Sequence, residues 1–124
     1  MIASGATSVW ERWESKMTNE MHSFNHPMYG SYDAFLYKFL GGIDVSEDAF
    51  GADKLTVAPV FVDGIDFVET SYKTVRGMLE VKWQRSESGV ELDITVPPTS
   101  TVDLLCGGEK RELKAGRHTL KIDK

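Results

Sequence analysis

The apolar positions of this chain follow no single period. From Tyr32 to Leu40 the residues Tyr32, Phe35, Leu36, Phe39 and Leu40 fall at i, i+3, i+4, i+7 and i+8, the stripe of an amphipathic helix. Ser31 suits the N-cap and Asp33 the first turn, while Gly41-Gly42 can take the left-handed stop conformation. Beyond Asp53 the period becomes two. Leu79, Val81 and Trp83 alternate with Glu80, Lys82 and Gln84, then Val90, Leu92, Ile94 and Val96 alternate with Glu91, Asp93 and Thr95. Ser86-Glu87-Ser88-Gly89 between the two runs reads as a hairpin turn. Further strands are predicted at 54–58, 60–62, 67–73, 101–106 and 117–122, punctuated by Pro59, Asp63-Gly64, Pro97-Pro98 and Gly107-Gly108. Short, closely spaced strands with one apolar face predict a mainly β fold, an antiparallel β-sandwich.

Residues 1–30 match neither period. They hold two of the three tryptophans and two of the three histidines. In Trp10-Glu11-Arg12-Trp13-Glu14, two large aromatics stand beside carboxylates. Aromatic faces stack on pyranose rings and carboxylates bond hydroxyls, so a sugar site is one reading; core packing is the other. On a helix Glu11 and Glu14 would share a face, their Cβ atoms about 5–6 Å apart. The two carboxyl groups of a glycosidase must flank the scissile bond, which neighbours on one short segment seldom do, so at most one of the two can be catalytic. His22 and His26 have i, i+4 spacing, but Pro27 opposes a helix continuing through His26 and no third metal ligand stands nearby. A histidine that bonds a sugar hydroxyl, or one with a structural role, fits better than a zinc ligand.

Charge and composition narrow the classes of function. The 124 residues include 19 acidic and 14 basic side chains, a formal net charge of −5, with no basic run to engage a nucleic acid or an anionic membrane surface. No apolar run approaches the ~20 residues of a membrane span, and the first residues lack the pattern of a signal peptide. The single cysteine, Cys106, follows Leu104 and Leu105 and reads as a small core residue rather than a reactive thiol. No Gly-x-Ser-x-Gly elbow or phosphate-binding glycine loop is present.

In order along the chain, GATSVWERWES, MHSFNHPMYGSYDAFLYKFLGGI, LTVAPVF and GMLEVKWQRSESGVELDITVPP resemble the C-terminal portion of bacterial α-L-rhamnosidases. The resemblance implies that residues 1–42 are the closing segment and last helix of an α/α six-hairpin barrel, that 43–53 connect, and that 54–124 form a C-terminal β-sandwich. It implies an inverting hydrolysis of terminal α-L-rhamnose, with Glu11 of the Trp-Glu-x-Trp motif as general base. His26 of Ser-Phe-Asn-His would line the sugar pocket, and Trp10 and Trp13 would shape it. The implied partner is a rhamnosylated glycan or glycoside, and no metal or organic cofactor is implied. No residue of this chain matches the general acid, which the family supplies from earlier in the barrel. The chain is therefore expected to be a remnant or expressed fragment, inactive alone. Its helical stripe would need cover from further barrel sequence or from a second copy. The rival expectation is a non-catalytic β-sandwich module for carbohydrate binding or interdomain packing.

Overall fold

The computed structural model describes residues 2–11, 23–27 and 31–123. The chain forms two compact units, Met1–Phe35 and Leu36–Lys124. In the first, a 3-10 turn at Ile2–Ser4 closes with the Gly5 N–H on the Ile2 carbonyl at 2.9 Å, and a short helix α1 occupies Tyr32–Phe35.

The second unit opens on a π-helical turn, Leu36–Leu40, followed by six strands: β1 (Ile43–Val45), β2 (Lys54–Val57), β3 (Phe67–Thr74), β4 (Gly77–Ser86), β5 (Gly89–Cys106) and β6 (Glu109–Asp123). The sequence predicts an α-helix through Leu40; the last five residues instead take the wider turn. Their terminal carbonyls find partners beyond the helix, which an α-helical end leaves to chance. Phe39 accepts from the Val60 N–H at 2.9 Å and Leu40 from the Trp83 indole N–H at 2.8 Å, while the Gly41 N–H closes the wider turn on the Leu36 carbonyl at 3.1 Å. The stripe predicted to be apolar is exposed, with Tyr32, Phe35 and Phe39 each more than half accessible.

Gly42 makes the passage from this turn into β1. Its φ is +69°, and a Cβ there would lie 2.2 Å from the Ala58 carbonyl carbon and the Pro59 nitrogen, both backbone atoms. Gly42→Ala therefore combines left-handed strain with a clash that cannot rotate away. We expect a loss of more than about 1 kcal/mol in urea unfolding; an unchanged midpoint would show that the backbone shifts freely at this point.

β5 and β6 form one long bent hairpin. In its first half β5 lies between β4 and the end of β6; in its second half it lies between β2 and the start of β6. The bend falls where the register shifts between Val96 and Thr101, with Pro97, Pro98, Thr99 and Ser100 opposite the single residue Ala115. Thr99 takes φ +60° there, and the buried Ser100 hydroxyl donates to the Ala52 carbonyl at 2.8 Å. The strands predicted at 90–96 and 101–106 are thus one strand. Every pairing is antiparallel except β2 with β5, a parallel pair made possible by the β3–β4 excursion between them.

The inner faces of the two arms meet in a single core. Leu79, Val81 and Trp83 of β4 face Leu92 and Ile94 of β5, and Leu55 and Val57 of β2 face Val102 and Leu104. The predicted alternation matches this burial, Trp83 included. Two of the predicted strands need correction. Val60–Val62 is not a strand: the Arg85 guanidinium takes the carbonyls of Phe61 and Val62 at 3.0 and 3.1 Å, leaving no ladder to join. The last strand starts at Glu109 rather than Arg117, since β5 pairs with a stretch whose polar side chains carry no alternation. Ile43–Val45, inside the expected connector, pairs with β2.

Candidate functional site

The first unit brings two separate segments, around Val9–Glu11 and Ser23–His26, side by side. The Glu11 N–H donates to the Ser23 carbonyl and the His26 N–H to the Val9 carbonyl, both at 2.8 Å. The Ser8 hydroxyl adds a bond to the Phe24 carbonyl. Backbone bonds of this kind fix register, so the Glu11 and His26 side chains arise from a defined pair of chain positions.

Glu11 is half-buried, and its Oε2 accepts the Ser23 N–H at 2.9 Å. Ser23 thus engages Glu11 twice, carbonyl to backbone and N–H to carboxylate. Bonded this way, the carboxylate is oriented by main chain, which cannot swing aside as a side-chain partner can. Trp10 is 9% exposed and meets Phe24 edge to face, with ring centroids 4.9 Å apart and planes at 77°. Such an aromatic pair contributes about 0.5–1.5 kcal/mol beyond its buried area. It also joins the segment that carries Glu11 to the one that carries His26. The structure therefore assembles three of the four residues singled out from sequence: Trp10, Glu11 and His26. Trp13 lies outside the described residues, as do Glu14 and His22.

Ser23 and Phe24 escaped notice in the sequence. Ser23 acts on Glu11 through its backbone, which no residue type announces; Phe24 stands in the Ser-Phe-Asn-His stretch, where an aromatic beside the histidine was the available signal. In the second unit Cys106 is half-buried and burial pushes its thiol up from the ordinary value, which makes it a poor nucleophile at neutral pH. Among the described residues no three His, Cys, Asp or Glu side chains group to hold a metal ion, and no helix is long and apolar enough to cross a membrane.

Comparison with known proteins gives this arrangement a context. Residues 42–121 match the profile of the bacterial alpha-L-rhamnosidase C-terminal domain, and residues 1–40 match that of the bacterial alpha-L-rhamnosidase 6 hairpin glycosidase domain. The two profiles follow one another along the chain, and both describe parts of one glycoside hydrolase family. The chain belongs to the bacterial α-L-rhamnosidase family.

An alpha-L-rhamnosidase of Streptomyces avermitilis is 29% identical over 109 residues, 83% of this chain and 10% of that protein. One from Alteromonas sp. is 32% identical over 102 residues, 77% of this chain and 11% of that protein. Among solved structures, the alpha-L-rhamnosidase from Dictyoglumus thermophilum matches all of this chain with 17% of its own length, a TM-score of 0.82 and 27% identity. The Streptomyces avermitilis enzyme complexed with L-rhamnose covers 97% of this chain with 14% of its own, at a TM-score of 0.80 and 26% identity. The chain spans about a tenth of the length of the curated relatives it matches.

Proposed function

We propose that this chain supplies the general base of an α-L-rhamnosidase that hydrolyses terminal α-L-rhamnose with inversion, Glu11 being the base. The observation that carries the reading is the bond from the Ser23 N–H to Glu11 Oε2, which ties the carboxylate to the segment that carries His26. In an inverting reaction a carboxylate takes a proton from water as that water attacks the anomeric carbon, while a carboxylic acid on the opposite side protonates the leaving oxygen. Proton and bond changes then balance: water loses one proton to Glu11, the glycosidic bond breaks, and the aglycone oxygen gains the proton of the acid.

In this reading His26 bonds a sugar hydroxyl, and Trp10, with Trp13, shapes the pocket wall. Residues 1–42 close the six-hairpin barrel, 54–124 form the sandwich and 43–53 connect them, with β1 tied to β2. The general acid comes from barrel sequence outside these residues. The exposed stripe of Tyr32, Phe35 and Phe39 is covered by that barrel or by a second copy of the chain.

Two measurements test the proposal. In the complete enzyme, NMR of the first-formed rhamnose is expected to show the β anomer, as attack from the face opposite the leaving group requires; initial release of the α anomer would overturn inversion. The purified 124-residue chain is expected to give no turnover of an aryl α-L-rhamnoside, since a base without its acid cannot assemble the transition state. Turnover by the purified chain would place the whole machinery within these residues. Light scattering on the same sample reports whether a second copy covers the stripe.

A further inference from the structure

The outer face of the sheet formed by β3, β4, β5 and β6 carries a feature that the sugar chemistry above does not use. Cross-strand register places Phe67, Gln84, Glu91 and Lys121 in one row, and Glu69, Lys82, Asp93 and Thr119 in the next. Neighbouring strands lie about 4.8 Å apart, so the polar side chains of each row stand next to one another across the face. A groove of about 300 Å³ crosses this face, lined by Phe67, Glu69, Lys82, Gln84, Glu91 and Asp93 among others.

Phe67 is 65% exposed on the solvent side of its strand, and core packing does not account for it. Around it stand both donors and acceptors. Lys82 is only loosely engaged by Glu69, at 3.8 Å, with both side chains about half exposed or more. Asp93 is held ionised: the Thr119 hydroxyl bonds one of its oxygens and Arg117 approaches the other at 3.5 Å, which together keep its carboxyl below the usual carboxylate range. The groove thus offers an aromatic face, an amide, an ammonium and fixed carboxylate acceptors. The lining holds three carboxylates and one ammonium, and Lys121 and Arg117 stand beside Glu91 and Asp93, so the face carries no excess of positive charge to draw an anionic glycan, and the exposed aromatic favours a ligand with one apolar face.

We propose that this groove is a secondary carbohydrate site, remote in sequence from Glu11, that stacks a neutral pyranoside on Phe67 and bonds its hydroxyls through Gln84, Glu91 and Asp93. The choice of a rhamnoside as its ligand rests on the substrate reading above. A site of this kind would hold a glycan by one unit while another is cleaved.

The test is titration of the isotopically labelled 124-residue chain with methyl α-L-rhamnoside and, separately, with maltose, followed by amide chemical shifts. The expected result is saturable change centred on residues 67–69, 82–84 and 91–93 with the rhamnoside, weakened at least about tenfold by Phe67→Ala, the loss typical of a central aromatic anchor. Gln84→Ala, a smaller change on the same face, is expected to weaken binding as well. Unchanged affinity in both variants would overturn the proposal, as would the absence of saturable shifts in the groove. Shifts confined to residues 8–11 and 23–26 would remove the groove and leave the substrate reading standing. Groove shifts with maltose alone would overturn the assignment of a rhamnoside.

Discussion

Glu11→Gln in the complete enzyme is expected to lower kcat by about 10²-fold or more, the range that general base catalysis contributes. The substitution is chosen for what it leaves in place. An amide oxygen can still accept the Ser23 N–H that Glu11 Oε2 accepts at 2.9 Å, so the pairing of the two segments should survive. What disappears is the ability to take a proton from water. A 10²-fold loss corresponds to about 2.7 kcal/mol of transition-state stabilisation. Substrate binding should change much less, because a residue acting only as the proton moves contributes little to the ground state. Steady-state kinetics on an aryl α-L-rhamnoside, with circular dichroism as a check on folding, measures both. Near-normal kcat in a folded variant would take Glu11 out of the base role and leave Ser23 bonding a purely structural carboxylate.

How far the sequence predicts the molecule depends on whether a side chain or the main chain does the work. The alternations at 79–83 and 90–96 were legible because one face of each strand is buried, and a slip of one residue would expose the whole set. The helix at Tyr32 was legible in position and in its glycine stop, yet its π-helical end was not. That end depends on donors from Val60 and Trp83, far along the chain. The same limit explains Val60–Val62, which has the composition of a strand until Arg85 claims its carbonyls. The first half of β6 is nearly all polar and joins the sheet through backbone pairing to β5, a bond pattern that leaves no trace in residue types.

The candidate site divides along the same line. Trp10, Glu11 and His26 stood out by residue type and by the motifs that hold them. Residue types and spacing alone leave core packing open for Trp10 and a structural role open for His26, and only resemblance to a family implies the roles of Glu11 and His26. The structure adds the pairing of their segments and the contribution of Ser23, neither of which spacing encodes. A carboxylate oriented by a backbone N–H some twelve positions away in sequence can be found only once the chain is folded.

Trp83→Ala is expected to destabilise the second unit by about 3–5 kcal/mol, the cost of truncating a large buried aromatic. Trp83 is 2% exposed and packs edge to face against Phe61, centroids 5.2 Å apart, at the centre of the cluster shared by both arms. Its indole N–H also donates to the Leu40 carbonyl at 2.8 Å, so it closes the π-helical turn as well as filling the core. The two contributions can be separated. Trp83→Phe keeps most of the aromatic volume and removes the donor, leaving the Leu40 carbonyl unsatisfied at a cost of about 1–3 kcal/mol. Trp83→Ala removes both and leaves a cavity. Against a total stability of about 5–15 kcal/mol for an ordinary domain, the alanine variant should approach unfolding at moderate temperature. Urea titration followed by far-ultraviolet circular dichroism, a signal that does not depend on the lost indole, measures both variants. If Trp83→Ala costs less than about 1 kcal/mol, the two arms do not rely on Trp83 to meet, and the core must be able to collapse around the gap.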